Sequence, residues 1–149
     1  VAPKISEFYN QENFVELNKI IKASSKLMFF LTIPILILIL VFSEFILSLF
    51  GEKFILGSLC LNILIVGQLI NVLCGSVGYI LNMTEYQNIF KWIIIFAVIM
   101  NIVLNIVLIP LYGIFGAAIA SMISLILWNM LSCIYIYKKF NISTIWFIK

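Results

Sequence analysis

Trp92-Ile-Ile-Ile-Phe-Ala-Val-Ile-Met-Asn101-Ile-Val-Leu-Asn105-Ile-Val-Leu-Ile-Pro110-Leu-Tyr-Gly113-Ile-Phe-Gly116-Ala-Ala-Ile-Ala120-Ser-Met-Ile-Ser124-Leu-Ile-Leu-Trp128-Asn-Met-Leu-Ser132-Cys-Ile-Tyr-Ile-Tyr137 runs for 46 residues without a charged side chain. As one helix it would measure about 69 Å, more than twice the ~30 Å hydrocarbon core of a bilayer. The chain must fold back inside it, and Pro110-Leu-Tyr-Gly113-Ile-Phe-Gly116 supplies the break. Helices are predicted over 92–109 and 116–137.

Two further uncharged runs flank this one. Leu27 to Ser43 is 17 residues, the short end of a membrane span, with Pro34 inside it as a predicted kink. Phe54 to Thr84 is 31 residues and suits one helix over 58–83. Between them, Phe45 to Phe50 forms a short apolar elbow ending at Gly51-Glu52-Lys53. The prediction is an all-α polytopic membrane helix bundle with spans over 27–43, 58–83, 92–109 and 116–137. Composition agrees: 64% of the 149 residues are hydrophobic and 10% charged, too few charges to cover a globule in water.

The charges also predict sidedness. Four spans place residues 1–26, the 84–91 loop and the 138–149 tail on one side. Near span ends that side carries Lys19, Lys22, Lys26, Lys91, Lys138, Lys139 and Lys149; the other carries Lys53. An excess of lysine marks the cytoplasmic face, so both termini of the chain are expected there. Residues 1–26 form the cytoplasmic connector. In them Phe14, Leu17, Ile20 and Ile21 recur at helical spacing among Glu12, Glu16, Lys19 and Lys22. This reads as an amphipathic helix at the interface or as a connector with one face packed on the bundle. The chain begins with Val1 and shows no signal peptide, as expected of a piece of a longer protein.

Polar residues inside the spans are the candidate site. Gln68, Asn71, Gly75, Gly78 and Asn82 are spaced 3, 4, 3, 4, which keeps them on one helix face. A side-chain amide in lipid needs a hydrogen-bond partner, so this face should look inward. It either lines a path for polar cargo or glues helices together. Asn101 and Asn105, an i, i+4 pair, carry the same two readings. Glu44, at the end of the first span, is a candidate ion or proton site if the elbow after it lies in the membrane. Gly113, Ala117, Ala120 and Ser124 make a packing stripe. Trp92, Tyr79, Tyr112, Tyr135 and Tyr137 read as interfacial anchors.

Much chemistry is excluded by composition. All nine basic residues are Lys and all six acidic ones Glu, with no His, Arg or Asp. There is no base for a serine triad, no His or Asp for a metal site, and no phosphate-cradling glycine loop. No cofactor is predicted. The net charge of +3 is too small and dispersed for nucleic acid. Cys60 and Cys74 lie about 21 Å apart along one predicted helix and cannot bridge; with Cys133 they read as small hydrophobes. Transport, membrane scaffolding and lipid interaction remain.

Asn105-Ile-Val-Leu-Ile-Pro110-Leu-Tyr-Gly113-Ile-Phe-Gly116-Ala-Ala-Ile-Ala120 resembles a signature of polysaccharide biosynthesis transporters. These are the oligosaccharide-lipid flippases, including O-antigen and capsular repeat-unit flippases. Their superfamily also holds multidrug exporters and the lipid II flippase. Pro3 with Ser6, Leu49-Phe-Gly51-Glu-Lys-Phe54, and Gly78-Tyr-Ile-Leu81-Asn-Met-Thr84 before Gln87 agree in order and spacing. The resemblance maps the chain to the last four helices of a larger transporter. It implies two helical lobes around a central cavity. It also implies movement of an undecaprenyl-pyrophosphate-linked oligosaccharide across a bacterial plasma membrane by alternating access. The implied partners are the lipid bilayer, that lipid-linked oligosaccharide, and the N-terminal helices of the same transporter. A cation-coupled multidrug or metabolite exporter of the same superfamily is the alternative, and a small non-transporting membrane scaffold another.

Overall fold

The computed structural model describes residues 2–140 and 144, and every regular element among them is helical. The Asn13 side chain accepts the Glu16 backbone N–H at 3.2 Å and caps α2, Phe14–Val41. This 28-residue helix joins the amphipathic stretch and the first uncharged run into one rod. A shorter helix, α1 (Ala2–Asn10), precedes it and packs back on it. Ile5 of α1 is fully buried with Leu17 and Ile21, so the apolar stripe at the start of α2 faces protein. Pro34 sits inside α2 on its exposed side, where it obstructs no neighbouring helix.

Beyond α2, α3 (Ser43–Ser48) and a 3-10 segment (Glu52–Gly57) form the elbow. Phe45, Leu49, Phe50 and Phe54 on it are all more than half exposed. Next come α4 (Ser58–Cys74) and α5 (Val77–Met83). The single helix expected over 58–83 is thus interrupted at Gly75–Ser76. Gly75 adopts φ +71°, ψ −137°, a conformation that side chains with a Cβ avoid. A Cβ there would also overlap the fully buried Ser25 hydroxyl of α2. The break lets α5 turn onto α1, α6 and α7.

The long uncharged stretch folds into a hairpin of α6 (Gln87–Tyr112) and α7 (Ile114–Phe140). Its pivot is Gly113, at φ +58°, whose N–H bonds the Ile109 carbonyl at 2.8 Å. The break expected over Pro110–Gly116 thus falls at Gly113, inside that stretch. Pro110 removes one hydrogen bond near a helix end, whereas a positive φ reverses the chain outright. Of the predicted packing stripe, Ala120 and Ser124 are buried, Ala117 is half-buried and Gly113 is exposed; Gly116, Ala118 and Ser132 are further buried small residues of α7.

Four elements are long and apolar enough to cross a membrane: Phe14–Val41, Glu52–Cys74, Gln87–Tyr112 and Ile114–Phe140. They pack in the order α2, α4, α7, α6, with α7 against both α4 and α6. Gly67 permits the α4–α7 approach, since a Cβ there would lie 3.3 Å from the Met122 Cα. Only 6% of the most apolar α6 window is buried against 28% for α7, so α7 is central and α6 peripheral. Ile102, Ile106 and Val107 of α6, and Ile35 and Leu38 of α2, lie more than half exposed. Hydrocarbon is the solvent that such faces require, so the chain is a multi-pass membrane protein in a lipid bilayer.

The densest core sits at one end of the bundle. There Ile5, Leu17, Ile21, Val77, Ile80, Leu81 and Ile136 are almost wholly buried. It ties together α1, the start of α2, α5 and the end of α7. A second, smaller core of Leu36, Ile65 and Val72 joins α2 to α4.

Candidate functional site

The break in α4/α5 shapes a cleft of about 490 Å³ between α2, α4, α5 and α7. Gln68, Asn71, Gly75, Gly78 and Asn82 all line it, together with Thr32, Ser76, Tyr79 and Trp128. The 3, 4, 3, 4 spacing thus puts five positions on one wall, although the helix changes course midway. Gln68 and Asn82 are exposed, and the cleft is where that exposure falls. An amide turned to hydrocarbon instead would cost several kcal/mol.

Polar groups within the cleft are sparsely paired. Asn71 Nδ2 donates to Gln68 Oε1 at 3.0 Å, one turn apart on α4. Ser76 is almost fully buried, and its hydroxyl reaches only the Met28 sulfur at 3.9 Å, a weak acceptor. Among the described residues, no charged side chain lines the cleft. The arrangement can exchange hydrogen bonds with a hydroxylated or amide-bearing ligand.

Asn101 and Asn105 lie elsewhere. Asn101 lines a smaller hollow of about 280 Å³ between α6 and α7 with Ser121, Ser124 and Trp128. Asn105 Nδ2 donates to the Asn101 carbonyl at 2.8 Å and to its Oδ1 at 3.0 Å, both within α6. Glu44 is exposed on α3 and lines neither hollow. Among the described residues no group of His, Cys, Asp or Glu could hold a metal ion.

Trp128 lines both hollows, and sequence spacing did not single it out. Its ring stands edge-on to Phe90 with centroids 5.9 Å apart, which locks it between α6 and α7. Tyr79, read as an interfacial anchor, lines the main cleft instead. Cys74 and Cys133 meet across α4 and α7: the Cys133 sulfur lies 3.9 Å from the Cys74 carbonyl.

An aromatic collar closes the end of the bundle beside the dense core. Phe140 at the end of α7 meets Tyr86 at 5.4 Å, Tyr9 at 6.0 Å and Phe14 at 6.5 Å between ring centroids. Lys139 Nζ lies 5.5 Å from the Tyr86 ring centre, a cation–π contact. The collar gathers α1, the start of α2, the α5–α6 turn and the end of α7 on one side, where the lysine count puts the termini. Partial burial among these rings pushes the Tyr9 phenol up to about 12; the Tyr86 hydroxyl and Glu85 carboxylate act in the same direction.

Four apolar spans around a polar cleft define a multi-pass membrane protein. The chain belongs to the MatE family, whose model matches residues 1–107. It is 27% identical over 144 residues to a protein of Haloferax volcanii described as a probable low-salt glycan biosynthesis flippase, Agl15. That alignment takes in 96% of the chain and 30% of the relative's length. No solved structure matches the chain. Family and relative place it among membrane exporters and flippases, a class of transporters.

Proposed function

We propose that the chain forms the C-terminal part of a flippase that moves undecaprenyl-pyrophosphate-linked oligosaccharide repeat units across a bacterial plasma membrane by alternating access. Both ends of the segment face the cytoplasm, and Gln68, Asn71 and Asn82 lie on the cargo path. One observation carries this reading: five positions spaced along α4 and α5 converge on one polar cleft of the bundle. The likeness to a probable glycan biosynthesis flippase supports it. A pyrophosphate needs cationic partners; since the cleft lining supplies none, they come from other parts of the transporter.

Complementation tests the proposal. The full-length protein is expressed in a strain lacking its repeat-unit flippase. Lipid-linked sugar that had accumulated on the cytoplasmic leaflet should disappear. Persistence of that pool, with the protein present in the membrane, contradicts the proposal.

A cation-coupled exporter of drugs or metabolites is the second reading. The cleft volume of about 490 Å³ favours it, since it falls within the range of sites for drug-sized ligands. In that case expression would raise resistance to organic cations, and Glu44→Gln would abolish the gain. Glu44 stands apart from the cleft, which weighs against this reading.

A further inference from the structure

Which portion of the cargo the cleft takes can be argued from its lining, on the reading that the chain belongs to a glycan-lipid flippase. Its polar side chains are three amides, the hydroxyls of Thr32, Ser76 and Tyr79, and the Trp128 indole. A phosphate entering this space would shed its water and meet no counter-charge, the most unfavourable way to bury an anion. A sugar hydroxyl fares differently, because it both donates and accepts, as does an amide. The bond between Asn71 Nδ2 and Gln68 Oε1, at 3.0 Å, orders the two amides relative to each other. It leaves the Gln68 amide N–H groups as donors beside the Asn71 Oδ1 acceptor. Two neighbouring hydroxyls of a sugar ring, one accepting and one donating, complement that pair. Trp128 and Tyr79 supply flat faces for the C–H side of a ring, and Trp128 is pre-positioned by Phe90.

We infer that the cleft of Gln68, Asn71, Asn82 and Trp128 is a subsite for the uncharged, hydroxyl- or acetamido-bearing sugar rings of the cargo, with the pyrophosphate held outside it. Rings bearing a carboxylate are disfavoured there for the same reason as phosphate.

The test uses the full-length transporter in phosphatidylcholine nanodiscs, with saturation-transfer NMR titrations for the sugars and phosphorus-31 line broadening for pyrophosphate. The probes are a neutral hexose–N-acetylhexosamine methyl glycoside, its uronic-acid analogue, and inorganic pyrophosphate. The neutral probe should bind at least about fivefold tighter than the acidic one. Gln68→Met and Asn71→Leu should each weaken it by about five- to tenfold, the scale of a neutral hydrogen bond. Neither should alter pyrophosphate binding or the thermal midpoint; Gln68 is exposed, so its replacement disturbs no packing. Equal affinity for the two sugars, no saturation transfer to the neutral one, or loss of pyrophosphate binding in the variants overturns the inference. A flipping assay on the same proteins in sealed phosphatidylcholine vesicles separates the two levels. If the wild type flips lipid-linked glycan and both variants flip it equally well, the subsite is refuted and the flippase reading stands. If the wild type flips none, the flippase reading fails and the subsite falls with it.

Discussion

Replacing Gly75 by alanine probes the feature that shapes the cleft. Two separate penalties meet at this residue. Its φ of +71° and ψ of −137° lie where a Cβ-bearing residue is strained, by about 1–3 kcal/mol. The added methyl would also sit 2.7 Å from Ser25 Cβ, on a fully buried side chain that has no room to withdraw. Overpacking of that kind costs about 1–3 kcal/mol more. Gly113 isolates the first penalty: its φ is +58°, and nothing lies within 4 Å of a Cβ placed there. Gly113→Ala should therefore destabilise by about 1–2 kcal/mol, and Gly75→Ala by about 3–4 kcal/mol. Adding Ser25→Gly should return about 1–2 kcal/mol of the Gly75→Ala loss, seen as the coupling in a double-mutant cycle. Unfolding in mixed micelles by rising dodecyl sulfate, followed by far-ultraviolet circular dichroism, reads all four. If Gly75→Ala costs no more than Gly113→Ala, or Ser25→Gly relieves nothing, the steric reasoning at the α4–α5 break is wrong.

The collar makes two further predictions. The Tyr9 phenol, held up to about 12, stabilises the collar in its protonated form. That contribution is complete below the ordinary value near 10 and is lost as pH climbs through about 12. Ultraviolet difference titration should show one late-ionising tyrosine that Tyr9→Phe removes. Phe140→Ala deletes three ring contacts at once and should cost about 2 kcal/mol, less than for a fully buried ring because Phe140 is only half-buried. Limited proteolysis should then cut between α1 and α2 several-fold faster, and an unchanged rate would count against the collar. Asn105→Leu should change stability by less than about 1 kcal/mol and leave transport intact, because its amide bonds only within α6. A transport defect in that variant would return Asn105 to the cargo path.

Much of this architecture is legible in the sequence because charge in a membrane chain is sparse and positional. Lys26, Glu44, Lys53, Glu85, Lys91 and Lys138 bound the uncharged runs, and run lengths alone demand a hairpin between Trp92 and Tyr137. The amide stripe on α4 and α5 was legible too, since helical phase depends only on spacing. The break within it was not. Gly75 fits the stripe as a small packing residue, and the clash a Cβ there would make is with Ser25, 50 positions earlier in the chain. The break over Pro110–Gly116 was legible, though spacing did not show that Gly113 is the residue that turns the chain. Asn101 and Asn105 share the chemistry of Gln68 and Asn71 but lie on peripheral α6, where Asn105 donates to Asn101. Trp128 was invisible as a site residue because its role comes entirely from what α4, α5 and α6 place beside it.

The account as a whole requires four crossings of the bilayer, with the collar and the elbow on opposite faces. Single cysteines introduced at Lys4, Lys53 and Lys139 of a cysteine-free variant, labelled in intact cells with a membrane-impermeant maleimide, test this directly. Four crossings predict that the cysteine of Lys53→Cys labels from outside, and that those of Lys4→Cys and Lys139→Cys label only after the membrane is opened. Labelling of Lys4→Cys and Lys139→Cys from different faces, or of Lys53→Cys and Lys139→Cys from the same one, would contradict it.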